Sequence, residues 1–149
     1  MNQEPPDAKH LRLVDPNTGE TRVEHASGGA KGQKPIQFSA IPTACLIELG
    51  RMYHAGMAKY PTGDDHIPNF WRGYPYSSSY DALLRHVLAF WGGEALIPDA
   101  PGDPTSGRHH LAAVVWHGLN LLRMELDDQS EQWDDRPAVA LARHRKDTA

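Results

Sequence analysis

Apolar positions recur at three- and four-residue spacing in three stretches of the chain, the period a helix imposes on a half-buried face. The first is "TACLIELGRMYHAGMAKY", where Leu46, Leu49, Met52, Tyr53, Gly56 and Met57 fall on one broad face. Ser39 suits a cap and Pro42 a first turn, so this helix is expected to begin near Ser39 and stop at Pro61. Gly50 and Gly56 lower its propensity but allow close approach by a neighbouring helix. The second stretch, "YDALLRHVLAFW", predicts a helix from about Ser79 to Gly92, capped by Ser78 or Ser79 and ended by Gly92 and Gly93. The third starts around Ser106 or Gly107 and continues through "RHHLAAVVWHGLNLLRMEL". It is apolar almost all round between Leu111 and Leu122, which predicts a central, buried helix. A short helix is expected from Pro137 to His144.

The connections differ in character. Residues 61–79 form a long loop holding Phe70, Trp71, Tyr74 and Tyr76, which either cover one end of the core or stack on a ring. Residues 1 to about 33 show little apolar periodicity and many turn formers, with "PNTG" reading as a turn. No alternating strand pattern stands out. The expected class is all-α: three main helices plus a short C-terminal helix, with a disordered N-terminal arm at 1–27 ahead of a single domain at 28–149. Three helices make a thin core for such apolar faces, so completion by homo-oligomerisation is expected, as a homodimer or homotetramer.

Composition narrows the function. The 149-residue chain carries a net charge of -4, which does not fit a nucleic-acid electrostatic footprint. No apolar run is long enough to span a membrane, and the start does not read as a signal peptide. One cysteine, Cys45, excludes an internal disulfide and a Cys-based zinc site. There are nine histidines, and six of them, His54, His66, His86, His109, His110 and His117, fall in the middle of the chain. In "RHVLAFWGGE", His86, Phe90 and Glu94 are spaced four and four along one face, with Arg85 one step round. His110 and His117 are seven apart in the third helix, again on one face. Two such histidines opposite a carboxylate suit a divalent metal or acid–base chemistry, and Asp99 and Asp103 add hard oxygens nearby. Taken singly, each residue has an ordinary structural reading; taken together, His86, Glu94, Asp103, His110 and His117 favour a site. In "GGAKGQK", glycines flank Lys31 and lead to Lys34, an arrangement that lets backbone and charge approach an anion but lacks full Walker spacing. The acidic runs "ELDD" and "EQWD" read as solvated surface.

Four segments, "GGAKGQK", "AIPTACLIELGRMYHAGMAKY", "NFWRGYPYSSSYDALLRHVLAFWGGE" and "GRHHLAAVVWHGLNLL", resemble the phage-borne dATP/dGTP diphosphohydrolase (MazZ-like) family. That group is related to the all-α (MazG-like) nucleoside triphosphate pyrophosphohydrolases. The resemblance covers roughly residues 28 to 137. It implies cleavage of purine deoxynucleoside triphosphates, dGTP or dATP, to the monophosphate and pyrophosphate, in the cytoplasm of an infected host cell. Carried over residue by residue, it points to Lys59, Tyr60, Asn69, Trp71, Arg85, His86, Glu94, Asp103, His110 and His117. The implied roles are these. Glu94 and Asp103, helped by His86 or His110, hold Mg²⁺ or Mn²⁺. Lys31, Lys34, Lys59 and Arg85 neutralise the triphosphate, and Tyr60 joins them. Trp71 stacks on the purine, Asn69 reads an edge, and His86, Glu94 and His117 serve the chemistry. The chain departs from the family in having Ala95 where an Asp often follows Gly-Glu, with a longer loop before Asp103, and in lacking ExxE. The competing expectation is a non-catalytic nucleotide-binding or replication-partner module. A third is a metal phosphohydrolase acting on monophosphates.

Overall fold

The computed structural model describes residues 11–14, 21–32, 36–63 and 65–148. The chain is mostly helical and divides into two compact units, Met1–Ile41 and Pro42–Ala149.

Within the first unit, β1 (Leu11–Val14), β2 (Thr21–Glu24) and β3 (Ala30–Gly32) form an antiparallel sheet in sequential order. Arg12 lies opposite Val23, and Val23 opposite Lys31. This sheet departs from the helical pattern expected of the chain. "LRLV" and "TRVE" do alternate, but over four residues each, too short a run to stand out from an arm rich in turn formers. The β2–β3 turn is closed by the Gly28 N–H donating to His25 O at 2.8 Å, with Gly28 at φ 80°. The "PNTG" turn, residues 16–19, falls outside the described residues.

The second unit is built on three helices, α1 (Thr43–Lys59), α2 (Tyr76–Trp91) and α3 (His110–Leu126), followed by α4 (Ser130–Trp133) and α5 (Pro137–Asp147). Their starts differ from expectation for identifiable reasons. Ser39 sits in a separate 3₁₀ turn, Phe38–Ala40, and α1 starts after Pro42, with no side-chain cap. α2 starts three residues before Ser79, because its cap comes from elsewhere in the chain: Asp135 accepts the Ser77 N–H at 2.9 Å and the Ser77 hydroxyl at 2.5 Å. α3 starts at His110, since residues 95–109 are occupied by a hairpin-like loop.

The core gathers Met52 of α1, Phe70 of the connecting loop and Ala112, Ala113 and Trp116 of α3. Leu49, Tyr53, Tyr74 and Ile97 pack against it. Tyr53, Phe70 and Trp116 form an aromatic triangle with centroids 5.4–5.9 Å apart. A Cβ at Gly56 would meet the Trp116 indole at an ordinary van der Waals distance of 3.6 Å and one at Gly50 would face open space, so neither glycine is required by a close helix approach. Leu46 and Met57, expected on the inner face, are exposed.

α3 is buried along Ala112, Ala113, Trp116, Asn120 and Met124 but not all round. Leu111, Val115, Leu119, Leu122 and Leu126, at successive steps of four, four, three and four, are exposed. Among the described elements α1 and α2 pack most extensively against α3, and that stripe stays bare. Asp134, read as solvated surface, is buried and held by Arg136 at 2.6 Å.

Candidate functional site

α2 and α3 pack antiparallel, and their chemistry-bearing residues meet in matched steps. Ser79 and His86 are seven apart on α2; His110 and His117 are seven apart on α3. Ser79 Oγ lies 3.2 Å from His117 Nδ1, and His86 Nδ1 lies 2.7 Å from His110 Nδ1. The His86 ring stacks on His117 at 5.9 Å and tilts against His110 at 5.0 Å. Trp116 meets the His117 ring edge-on at 4.7 Å. The Tyr74 hydroxyl, 2.9 Å from Ser79 Oγ, extends this chain to the aromatic loop.

Burial sets the charge of the cluster. Desolvation drives the His117 pKa down to about 4, with His86 and Arg85 adding to the effect. His86 is lowered first by desolvation, then by His110, Arg85 and Lys59. Both shifts favour the neutral ring at pH 7. The Nδ1–Nδ1 contact holds a single proton, since one of the two nitrogens has to donate and the other accept. The same causes place Arg85 and Lys59 within electrostatic reach of His86.

Glu94 joins from the loop. The Leu96–His109 bridge, the His110 N–H donating to Ala95 O at 3.1 Å and the Ile97 N–H donating to Arg108 O at 2.8 Å clamp residues 95–109 into a hairpin. That clamp brings Glu94 Oε1 to 3.7 Å from His110 Nε2. This is longer than a hydrogen bond, and His110 Nε2 is buried with no hydrogen-bond partner. A buried polar atom ordinarily finds a partner, and the group that faces this one is the Glu94 carboxylate.

The remaining expected residues are placed as follows. Asp103 is engaged in the loop: it accepts from Lys59 Nζ at 2.8 Å and from the Thr105 backbone and hydroxyl at 2.9 and 2.7 Å. Those bonds, Lys59 first, hold its carboxyl at about 2. Among the described residues no group of three His, Cys, Asp or Glu side chains converges as a metal shell, so Glu94, His110 and Asp103 are not brought together as one. Asn69 and Trp71 are exposed on a 3₁₀ turn whose middle residue, Phe70, anchors in the core. Arg123 Nη2 donates to Phe70 O at 3.1 Å and ties the turn to α3. Tyr60 is exposed and close enough to Tyr74 to raise its pKa, behind the larger effect of burial. Lys31 lies in β3, in the other compact unit, and Lys34 lies outside the described residues.

Ser79 and Tyr74 were not among the expected site residues. Their signal was present: Ser79 repeats on α2 the seven-residue step that marks His110 and His117 on α3. Its position near a helix start favoured a capping role instead.

No helix among the described residues is long and apolar enough to cross a membrane. No curated protein and no solved structure matches the chain. A family model described as dATP/dGTP diphosphohydrolase, N-terminal, matches residues 25–136, a span that holds every site residue named above. By that match, which covers well over half its length, the chain belongs to the dATP/dGTP diphosphohydrolase N-terminal family.

Proposed function

We propose that this protein hydrolyses purine deoxynucleoside triphosphates, dGTP or dATP, to the monophosphate and pyrophosphate, with Mg²⁺ or Mn²⁺. The observation that carries this reading is the buried, unpartnered His110 Nε2 opposite Glu94, beside two neutral imidazoles, in a chain of this family. The donor set of one imidazole nitrogen and one carboxylate suits a cation that completes its shell with water and phosphate oxygens. Glu94 and His110 would hold it, and it would supply charge neutralisation on the phosphates and a more acidic water. Asp103 is left out of that shell, its oxygens being taken by Lys59 and Thr105.

The protein's own groups divide the remaining work. Arg85 and Lys59 meet the negative charge of the triphosphate, Arg85 with a bidentate fork. His86, neutral at pH 7, accepts the proton of the attacking water. His117 orients His86 by stacking and is itself fixed by Ser79 and Tyr74. Trp71 offers an exposed indole to the purine, while Asn69 and Tyr60 contact the base edge and the sugar–phosphate. The reading includes nucleotide metabolism in the cytoplasm of a phage-infected cell, with no nucleic-acid or membrane partner. It also includes a homodimer or homotetramer closing over the exposed stripe of α3.

The test is a panel of NTPs and dNTPs with Mg²⁺ and Mn²⁺, with both products identified. Pyrophosphate and a purine monophosphate are expected from dGTP or dATP. Inorganic triphosphate as product would overturn the bond assignment, and tight binding without turnover would make the protein a nucleotide-binding module. Glu94→Gln is expected to lose at least about a hundredfold in kcat, as for loss of a group that stabilises the transition state, while keeping its helical circular dichroism. Full activity in that variant would remove Glu94 from the site.

A further inference from the structure

The hairpin that brings Glu94 to His110 also faces α1. Between them lies a cavity of about 520 Å³, lined by Ile47, Gly50, Arg51 and His54 of α1 and by Pro104 and Arg108 of the hairpin, among others. This is the size of a small-molecule site. Its charged lining is two guanidinium groups, with no carboxylate, in a chain whose net charge is -4. None of the histidines clustered between α2 and α3 lines it.

The cations are placed to receive an anion. Arg108 is fixed through its backbone, which donates to Thr105 O at 3.0 Å and accepts from Ile97 N at 2.8 Å. Its guanidinium makes no ion pair or side-chain hydrogen bond among the described residues. Arg51 and His54, three apart, share one face of α1. Among the described residues Arg51 pairs with Glu48, one turn back and at the surface, an interaction worth little and readily exchanged for a better anion. Gly50 leaves the floor of the groove open, for a Cβ built there meets nothing within 4 Å. The Lys59–Asp103 ion pair joins α1 to the hairpin next to Ala58 and Pro104, two of the lining residues.

We propose that this groove is a second anion site, separate from the histidine cluster, that takes a pyrophosphate-type group: free pyrophosphate or the polyphosphate of a nucleotide. Arg51 and Arg108 grip the phosphate oxygens from opposite walls, and His54 adds a donor. The proposal does not depend on hydrolysis by the chain.

The test is a metal-free titration of the full chain followed by backbone and arginine side-chain NMR, with pyrophosphate and dGTP as separate probes. Saturable shifts are expected at Gly50, Arg51 and Arg108. Arg51→Gln combined with Arg108→Gln should weaken binding about tenfold or more, since each removes a charge-assisted hydrogen bond. Gly50→Leu should fill the groove and abolish the shifts while raising helix stability. Tighter binding of dGTP than of pyrophosphate at these residues assigns a nucleotide; equal binding assigns the free diphosphate. Shifts confined to Glu94, His110 and their neighbours, no shifts with either probe at millimolar concentration, or undiminished binding in a folded groove variant would overturn the proposal.

Discussion

His117 shows how much of the site is written by burial. Its pKa falls from 6.5 to about 4 because its ring is desolvated beside Trp116 and His86. The unfolded chain therefore binds this proton more readily than the folded one between those two values. Stability from this group is fully present above about pH 6.5 and is lost as pH falls toward 4. The melting temperature is expected to drop by several degrees over that window, and His117→Gln should flatten the drop; an unchanged slope in that variant would assign the acid sensitivity to other groups. Ser79 is the natural partner experiment. It is almost fully buried and bonds both Tyr74 and His117, so Ser79→Ala should cost about 1–3 kcal/mol in urea unfolding. At this scale the sequence was partly legible. The seven-residue step of His110 and His117 and the place of His86 on α2 were legible, because helical period carries that information, whereas Glu94 lies past the end of α2 and reaches His110 through the hairpin clamp. Asp103 was not legible, because a carboxylate in a loop takes whichever cation the fold supplies, and here α1 delivers Lys59.

The helices were legible in their bodies and not at their starts. Apolar period fixes which face of α1 or α2 turns inward, but a cap can come from any distance along the chain. Asp135 reaches the first turn of α2 from beyond α4, and no local pattern near Tyr76 announces it. Asp135→Ala should therefore destabilise the protein by about 0.5–2 kcal/mol, read as a lower midpoint in chemical denaturation with an unchanged m-value. Gly73 is the sharper case. It sits at φ 83°, and a Cβ there would run into the Trp133 ring. The backbone conformation alone costs a non-glycine residue about 1–2 kcal/mol, so Gly73→Ala should exceed that. A variant as stable as the parent would mean that Trp133 moves aside without loss. The short strands β1–β3 were not legible for the opposite reason: three or four residues carry too little period to separate from an arm.

For the whole molecule, the mismatch between α3 as read and α3 as folded is informative. A helix apolar all round, with Leu111, Val115, Leu119, Leu122 and Leu126 exposed and Trp91 of α2 85 % exposed, is expected to be covered by a second copy. Sedimentation velocity should give a mass of at least twice the 16.5 kDa chain, and Val115→Lys should shift it toward the monomer. A monomeric parent protein would remove self-association as the reason for the stripe. The hairpin at 95–109 has its own consequence for how this chain tolerates change. Its stem is pinned by Leu96–His109 and by Ala95 to His110, while Gly102 at its tip is exposed, with φ 79°. Residues added or lost at the tip alter the rim without shifting the stem, so loop length can drift across relatives while the carboxylate keeps its address.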